Sequence, residues 1–559
     1  MLRLYFGGGE VADRAGLREL DVARSAMKSG TFPEGRGARP FSGAETSDDA
    51  GGVDNSRAHH LRESQRPRAG ALCALLLCFC AIVVQAHIGS STVFYEGAAG
   101  AYQVRVSIQP PEVVPGRAQI NVRVNNGLPT IITALPVRWD AGKKGAPPPD
   151  IAVPVKGETN LFSTELWLMD FGAYSVFVDV EGSLGKGTAI VPLNSVATQR
   201  LAMPAWMGAA FFAAGLGLIA LLVIIIGAAA RESALPPGIA ADVTRARRGC
   251  YGMALGTLLL LAALMRGNAW WTEVDSNFKN NRLFKTDEIP AVVELRGSEQ
   301  VLVVNLQDPD HGWHDRTPLI ADHGKLMHLF LISTPDRNLF AHLHPVQVKP
   351  NIFEVPVSGY ASGDYAVYAD VTRESGLAQT YISKVHLPES SLGSEASDKP
   401  DPDNSAWSAS ANKVTSGETR DAPLSPFALL RSLTPPRVTA GEEITLRFDA
   451  LASDGLALPL EPYLGMWSHA VILAKDGSVF THIHPLGTIS MASQEVFARR
   501  ERGETVRKSV DVVCGRPERE LTFPYAFPRP GEYRVWVQIK SNGRVLTGAF
   551  DFTVLSKKI

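Results

Sequence analysis

At 559 residues the chain is too long for one ordinary domain, and its 55 Lys and Arg nearly balance its 57 Asp and Glu. That balance offers no basic field, so no nucleic-acid partner is expected. Of five cysteines, Cys73, Cys78 and Cys80 fall in one short apolar stretch, which leaves Cys250 and Cys514 and argues against a disulfide framework or a cysteine metal site.

Residues 1–61 are rich in Gly, Ser, Arg and acidic residues without apolar periodicity. They read as a disordered extension, or as translation from a start placed too far upstream, with Met27 an alternative start. Arg62, Arg66 and Arg68 then precede an apolar run, Ala69 to Val84, and the small-residue site Val84-Gln85-Ala86. This pattern makes 62–86 a secretory signal peptide, with an uncleaved anchor as the competing reading. Cleavage after Ala86 would expose His87, whose amine and imidazole form a chelating pair for copper(II), set against coincidence at a predicted cut site.

From 87 to 197 the chain reads as all-β, with strict alternation in Tyr102-Gln103-Val104-Arg105-Val106-Ser107-Ile108 and in Ile120-Asn121-Val122-Arg123-Val124. Residues 204–230 are apolar for long enough to cross a bilayer, and 250–267 form a second, shorter span ending at Arg266 and the interfacial pair Trp270-Trp271. The intervening 231–249 carries Arg231, Arg245, Arg247 and Arg248, so it belongs on the cytoplasmic side. Both flanking regions then face outward, which puts the β modules on the extracytoplasmic side. The lipid bilayer is thus one expected partner.

Residues 285–388 form a second β module. A polar stretch, 389–425, rich in Ser, Asp, Ala and Pro, reads as a flexible linker to a third module, 426–556. G-x-Y-x-V occurs near the end of each module, at Gly172-Ala173-Tyr174-Ser175-Val176, Gly363-Asp364-Tyr365-Ala366-Val367 and Gly531-Glu532-Tyr533-Arg534-Val535. A repeat at that scale indicates serial domains and not a solenoid.

The chemistry-bearing pattern is written twice. Gly324-Lys325-Leu326-Met327-His328 is followed, after a hairpin-sized gap, by Phe340-Ala341-His342-Leu343-His344-Pro345. Gly465-Met466-Trp467-Ser468-His469 is followed by Phe480-Thr481-His482-Ile483-His484-Pro485, with the turn signal Asp476-Gly477 between. Strand side chains alternate, so His342 and His344 share a face about 7 Å apart, as do His482 and His484. His328 or His469 could join them from the partner strand. Three imidazoles on a rigid hairpin suit zinc or copper; the competing reading is that they pack and hydrogen-bond as parts of the fold. The trios His328, His342, His344 and His469, His482, His484 are therefore the candidate metal ligands. Met466 and Met491 are weaker candidates that would favour copper(I), while Met327 should point opposite His328 into the core. His311, His314, His323 and His386 read as surface or turn residues.

Catalysis is the less favoured class. A histidine-triad hydrolase needs a third alternating His where Val346 and Leu486 stand, a cupin needs a Glu much nearer than Glu354, and no H-E-x-x-H, G-x-S-x-G or Walker motif occurs. The protein is expected not to be an enzyme.

Phe523-Pro524-Tyr525-Ala526-Phe527-Pro528-Arg529-Pro530-Gly531-Glu532-Tyr533-Arg534-Val535-Trp536-Val537, with Gly543, Thr547 and the closing strand Phe550-Asp551-Phe552-Thr553-Val554, resembles the YtkA-like and FixH-like periplasmic domains. The resemblance covers the closing hairpins of all three modules. It implies that the three serial modules are immunoglobulin-like β-sandwiches on the periplasmic side of a bacterial inner (cytoplasmic) membrane. The chain is then expected to be mainly β, with the two apolar runs forming a two-helix transmembrane hairpin between the first and second modules. It also implies copper involvement and an envelope or oxidase-assembly partner. Two functions follow: a membrane-anchored extracytoplasmic protein that binds a transition metal, copper with zinc as the alternative, for handling, sensing or delivery; or a structural or accessory envelope protein whose sandwiches bind another protein.

Overall fold

The alternating stretches fold into six sheets in the computed structural model, which describes residues 92–236, 238–306, 315–389, 403–409, 420–504 and 520–557. The predicted extension, the signal peptide and His87 lie outside the described residues. The described chain is mainly β, with two long apolar helices, α1 (Ala205–Glu232) and α2 (Val243–Asn281), and a short α3 (Met491–Glu501).

Pairs of sheets enclose three hydrophobic cores. In the first, Val104, Val106, Ile120 and Val122 meet Ile132, Val176, Val178 and Val191 of the facing sheet. In the second, Leu302, Val304 and Phe353 meet Leu329, Leu331, Ala341 and Val367. In the third, Leu446, Phe448 and Phe523 meet Ala470, Ile472, Val535 and Val537. Each large apolar side chain removed from water contributes roughly 1.5–3 kcal/mol, so these cores dominate the stability.

The repeated G-x-Y-x-V has a backbone cause. Gly172, Gly363 and Gly531 open their strands at φ of 119°, 144° and 147°. A Cβ at Gly363 or Gly531 would meet nothing within 4 Å, so the angle and not the space calls for glycine. Tyr365 and Tyr533 then enter their cores and donate their hydroxyls to the carbonyls of Ala361 and Arg529, at 2.8 and 2.9 Å.

Both long helices have the length and composition of membrane spans. They pack through small residues: a Cβ on Gly252 would lie 2.9 Å from that of Ala230, and one on Gly249 3.1 Å from the Gly227 carbonyl. Helix α2 extends past the predicted 250–267 at both ends, and Arg245, Arg247 and Arg248 stand in its first turns. Asp242 caps it by accepting from the Arg245 backbone N–H at 2.8 Å, which starts the helix ahead of the apolar run. Trp206, Trp270 and Trp271 are all exposed.

The predicted linker is partly strand. Ala406–Ala409 pairs with Leu339–Leu343, and the Trp407 ring stacks on Tyr360 with centroids 4.4 Å apart. Arg420–Ser425 is already a strand of the third module. An edge strand presents unpaired backbone groups that a passing segment can pair with, and the aromatic stack adds to that docking.

The segment after the second H-x-H-P lies along the first strand of the first module, Val93–Ala99. Glu96 N–H donates to the Leu486 carbonyl at 2.7 Å, and Thr488 N–H donates to the Phe94 carbonyl at 3.1 Å. Gly487 sits between them at φ 122°, and a Cβ there would stand 2.1 Å from the Phe94 oxygen. Gly487→Ala combines a left-handed strain with a backbone clash. It is expected to destabilise the protein by about 2–4 kcal/mol, seen as an earlier first transition in urea.

Candidate metal centre

The two histidine hairpins are built alike and face each other. In the second module His328–Ser333 pairs with Leu339–Leu343, in a register that sets Phe330 opposite His342. In the third, Ser468–Ala474 pairs with Phe480–Ile483, setting Val471 opposite His482. One face of each hairpin belongs to its own core. The other face carries Phe330, Ile332 and Phe340, or Val471, Leu473 and Phe480, and these join one further hydrophobic cluster with Tyr368 and Trp536. Strands buried on both faces result, as their near-continuous apolar sequences require.

The contacts across this interface are reciprocal. Phe340 stacks on Trp536 at 5.0 Å, and its counterpart Phe480 stacks on Tyr368 at 4.1 Å. Asp370 is registered opposite His328, and Gln538 opposite His469. Each reaches the first histidine of the other module's H-x-H: Gln538 Oε1 lies 2.9 Å from His342 Nδ1, and Asp370 Oδ2 3.5 Å from His482 Nδ1. A sequence pattern duplicated in tandem thus forms an approximately two-fold interface within one chain.

The first trio converges. One nitrogen of each ring is tied outward: His328 Nε2 to the Asp322 carbonyl at 3.1 Å, His342 Nδ1 to Gln538 Oε1, and His344 Nδ1 to the Asp403 carbonyl at 3.1 Å. The Tyr463 hydroxyl stands 3.0 Å from the same His342 nitrogen. His328 Nδ1 and His342 Nε2 lie 3.0 Å apart. Without a metal His342 Nε2–H can donate to His328 Nδ1 while the Tyr463 hydroxyl donates to His342 Nδ1, and with His342 protonated on Nδ1 instead both inward nitrogens offer lone pairs. A donor atom from each of the three residues lies within 4.8 Å of the others, and outward ties of this kind orient imidazoles for a metal.

The second trio is rearranged. His469 and His484 form a group with His323, again with donor atoms within 4.8 Å, while His482 stands between the two groups. His323 is a turn residue as expected, at φ 50°, yet its ring centroid is 4.8 Å from His484 and 5.4 Å from His469. The turn is itself duplicated: His323-Gly324 and Leu464-Gly465 have matching positive φ pairs, closed by Asp322 with Lys325 and Tyr463 with Met466. The position before the repeated glycine was the available signal for His323. Its loop is held by Asp322, whose carboxylate accepts from Ser490 Oγ at 2.7 Å and from the Ala492 N–H at the start of α3.

The remaining candidates lie elsewhere. Met327 is buried in the second core, as expected. Met466 is buried in the turn beneath Tyr463, and Met491 packs against the first core. His386 is exposed and pairs with Asp364 at 2.7 Å; His311 and His314 are outside the described residues.

Seven buried ring nitrogens have no hydrogen-bond partner among the described residues: His323 Nε2, His344 Nε2, both of His469, His482 Nε2 and both of His484. An unpaired buried polar atom costs about 1–3 kcal/mol, so these nitrogens call for a partner, which water or a metal ion could equally supply. A cavity of about 450 Å³ reaches His328, His482 and His484, and Thr198, Gln199 and Phe284 beside the long helices also line it.

Burial lowers His328 and holds His342, His344, His469, His482 and His484 well below the ordinary imidazole value, with repulsion among the rings adding to it. Neutral imidazole is the form a metal takes. Burial also pushes the Asp370 carboxyl up to about 6. The unfolded chain takes up protons near pH 6.5 that the folded histidines refuse, so stability falls as pH drops below that value, by up to about 1.4 kcal/mol per unit for each histidine that stays neutral. Asp370 works the other way between its ordinary value and about 6, one group against six. The metal-free protein is expected to unfold at a clearly lower temperature at pH 5.5 than at pH 7.5, at constant ionic strength.

Residues 431–556 match the family model described as "Domain of unknown function (DUF8832)". No curated protein matches the chain. Among solved structures it is similar to a tetra-tandem repeat from the extending region of a large adhesion protein, at 8% identity and TM-score 0.15, over 81% of this chain and 74% of that one. It is also similar to titin domains Z1Z2 in complex with telethonin, at 13% and 0.11, over 49% and 96%. Trypsin-activated alpha-2-macroglobulin from Escherichia coli gives 9% and 0.16, over 84% of this chain and 24% of that one.

Proposed function

We propose that this chain is a membrane-anchored, non-catalytic protein that holds a transition metal between two immunoglobulin-like modules, outside a bacterial cytoplasmic membrane. Its role is metal handling, sensing or delivery. One observation carries the reading: His328, His342 and His344 are each tied outward by an oxygen acceptor, while their other nitrogens gather at one buried point. Three imidazoles whose remaining nitrogens lie within 4.8 Å of one another can take one ion between them.

The donors are all imidazole, which suits zinc and copper(II) alike. The resemblance of the closing hairpins to YtkA-like and FixH-like domains favours copper, and an envelope or oxidase-assembly protein as the party that gives or receives it. The two long apolar helices and the arginines at their joined ends support the anchor and its orientation.

Full-length protein purified in detergent and equilibrated with copper or zinc is expected to retain about two ions per chain by elemental analysis, one for each histidine group. His342→Gln with His344→Gln should remove one ion and leave the far-ultraviolet circular dichroism unchanged. A wild-type protein that binds neither metal, with an unfolding temperature unmoved by both, returns the histidines to a packing role and favours the accessory-protein reading.

A further inference from the structure

The placement of His482 is not explained by a three-histidine site on each hairpin. Its ring centroid lies 5.5 Å from both His328 and His342 of the first group, 5.5 Å from His469 and 4.7 Å from His484 of the second. Within the first group the corresponding spacings are 5.3, 5.2 and 4.8 Å, and within the second 5.4, 4.8 and 4.9 Å. Four imidazoles bound to one tetrahedral ion at about 2.0–2.1 Å stand with centroids roughly 5 Å apart. His482 thus stands beside two rings of each group, at spacings near those of a tetrahedral set.

Its two nitrogens are not equivalent. Nδ1 faces the Asp370 carboxylate at 3.5 Å, and Asp370 is itself held by the Thr380 hydroxyl at 2.6 Å. Nε2 is buried without a partner among the described residues. A carboxylate behind an imidazole fixes the ring and leaves the far nitrogen as the donor. One nitrogen serves one ion at a time. His482 also lines the cavity, so an incoming ion can meet it there.

We propose that the seven histidines form one two-position metal centre in which His482 is a shared fourth ligand, able to pass from an ion held by His328, His342 and His344 to one held by His323, His469 and His484. The inference rests on the metal-binding reading above. A first ion takes four imidazoles, His482 included, and a second ion finds only three. Each position draws ligands from both modules, the first through His482 and the second through His323, so an ion in either one ties the two modules together.

The test is a competition titration of full-length protein in detergent with zinc against a chromophoric chelator, repeated with cobalt(II) to follow tetrahedral coordination. Wild type is expected to bind two ions in separate steps. His482→Ala should weaken the first step at least tenfold, lower the cobalt(II) band intensity at one equivalent, and leave the second step within twofold. His482→Asn, which can still hydrogen-bond to Asp370, should give the same pattern with a metal-free unfolding temperature near wild type, which separates ligand loss from misfolding. The proposal is overturned if the first step is unchanged, if both steps weaken together, or if wild type binds one ion only. Absence of binding in the wild type overturns instead the reading on which it rests.

Discussion

Everything at the centre of this molecule depends on two sheets that bury both of their faces. Each histidine hairpin gives one face to its own core and the other to the opposing module, so alternate residues along one strand answer to different neighbours. Leu329 and Leu331 belong to a core, while His328, Phe330 and Ile332 belong to the interface. The apolar part of that interface, stacked from Phe340, Trp536, Phe480 and Tyr368, supplies the association. The histidines occupy its other end, where the same packing buries them and favours their neutral form.

Burying so many imidazoles is costly unless something compensates. The first trio is compensated on its outer side by two backbone carbonyls and an amide oxygen. The second group lacks such ties on His469 and His484 among the described residues, and gains His323 from a loop anchored at α3. The two-fold relation between the hairpins is therefore broken at the chemically informative places: His323 against Leu464, and Asp370 against Gln538. Duplication supplied a symmetric frame, and those few substitutions make its two halves unequal.

The first module takes part without supplying a described histidine. Its first strand binds the segment that follows His484-Pro485, and Ile489 is buried in its core. The chain enters the helical hairpin just after this module and leaves it beside the same residues, with the Phe284 N–H donating to the Ala197 carbonyl at 2.8 Å. The first module and the ends of the two long apolar helices are thus joined by short, hydrogen-bonded connections, and one cavity borders on these connections and on the histidine cluster.

Much of this was legible in the residues. Period-two alternation predicts the strands, long apolar runs predict the helices, and the repeated H…H-x-H-P predicts which side chains share a face, because each of these is a local property of backbone geometry. The same locality explains what was missed. Helix α2 outruns its apolar stretch because capping at Asp242, not hydropathy, sets its start. Ala406–Ala409 became a strand because a distant edge was there to receive it. His323 joined the cluster, His482 moved to its middle, and Met491 turned to another core because only the packing of one module against another determines which faces meet. The chain by itself determined that two hairpins each present three imidazoles on one side. That those sides close on each other, with rings from both modules around common points, was decided by tertiary structure, since a strand encodes the direction of its side chains but not what stands opposite them.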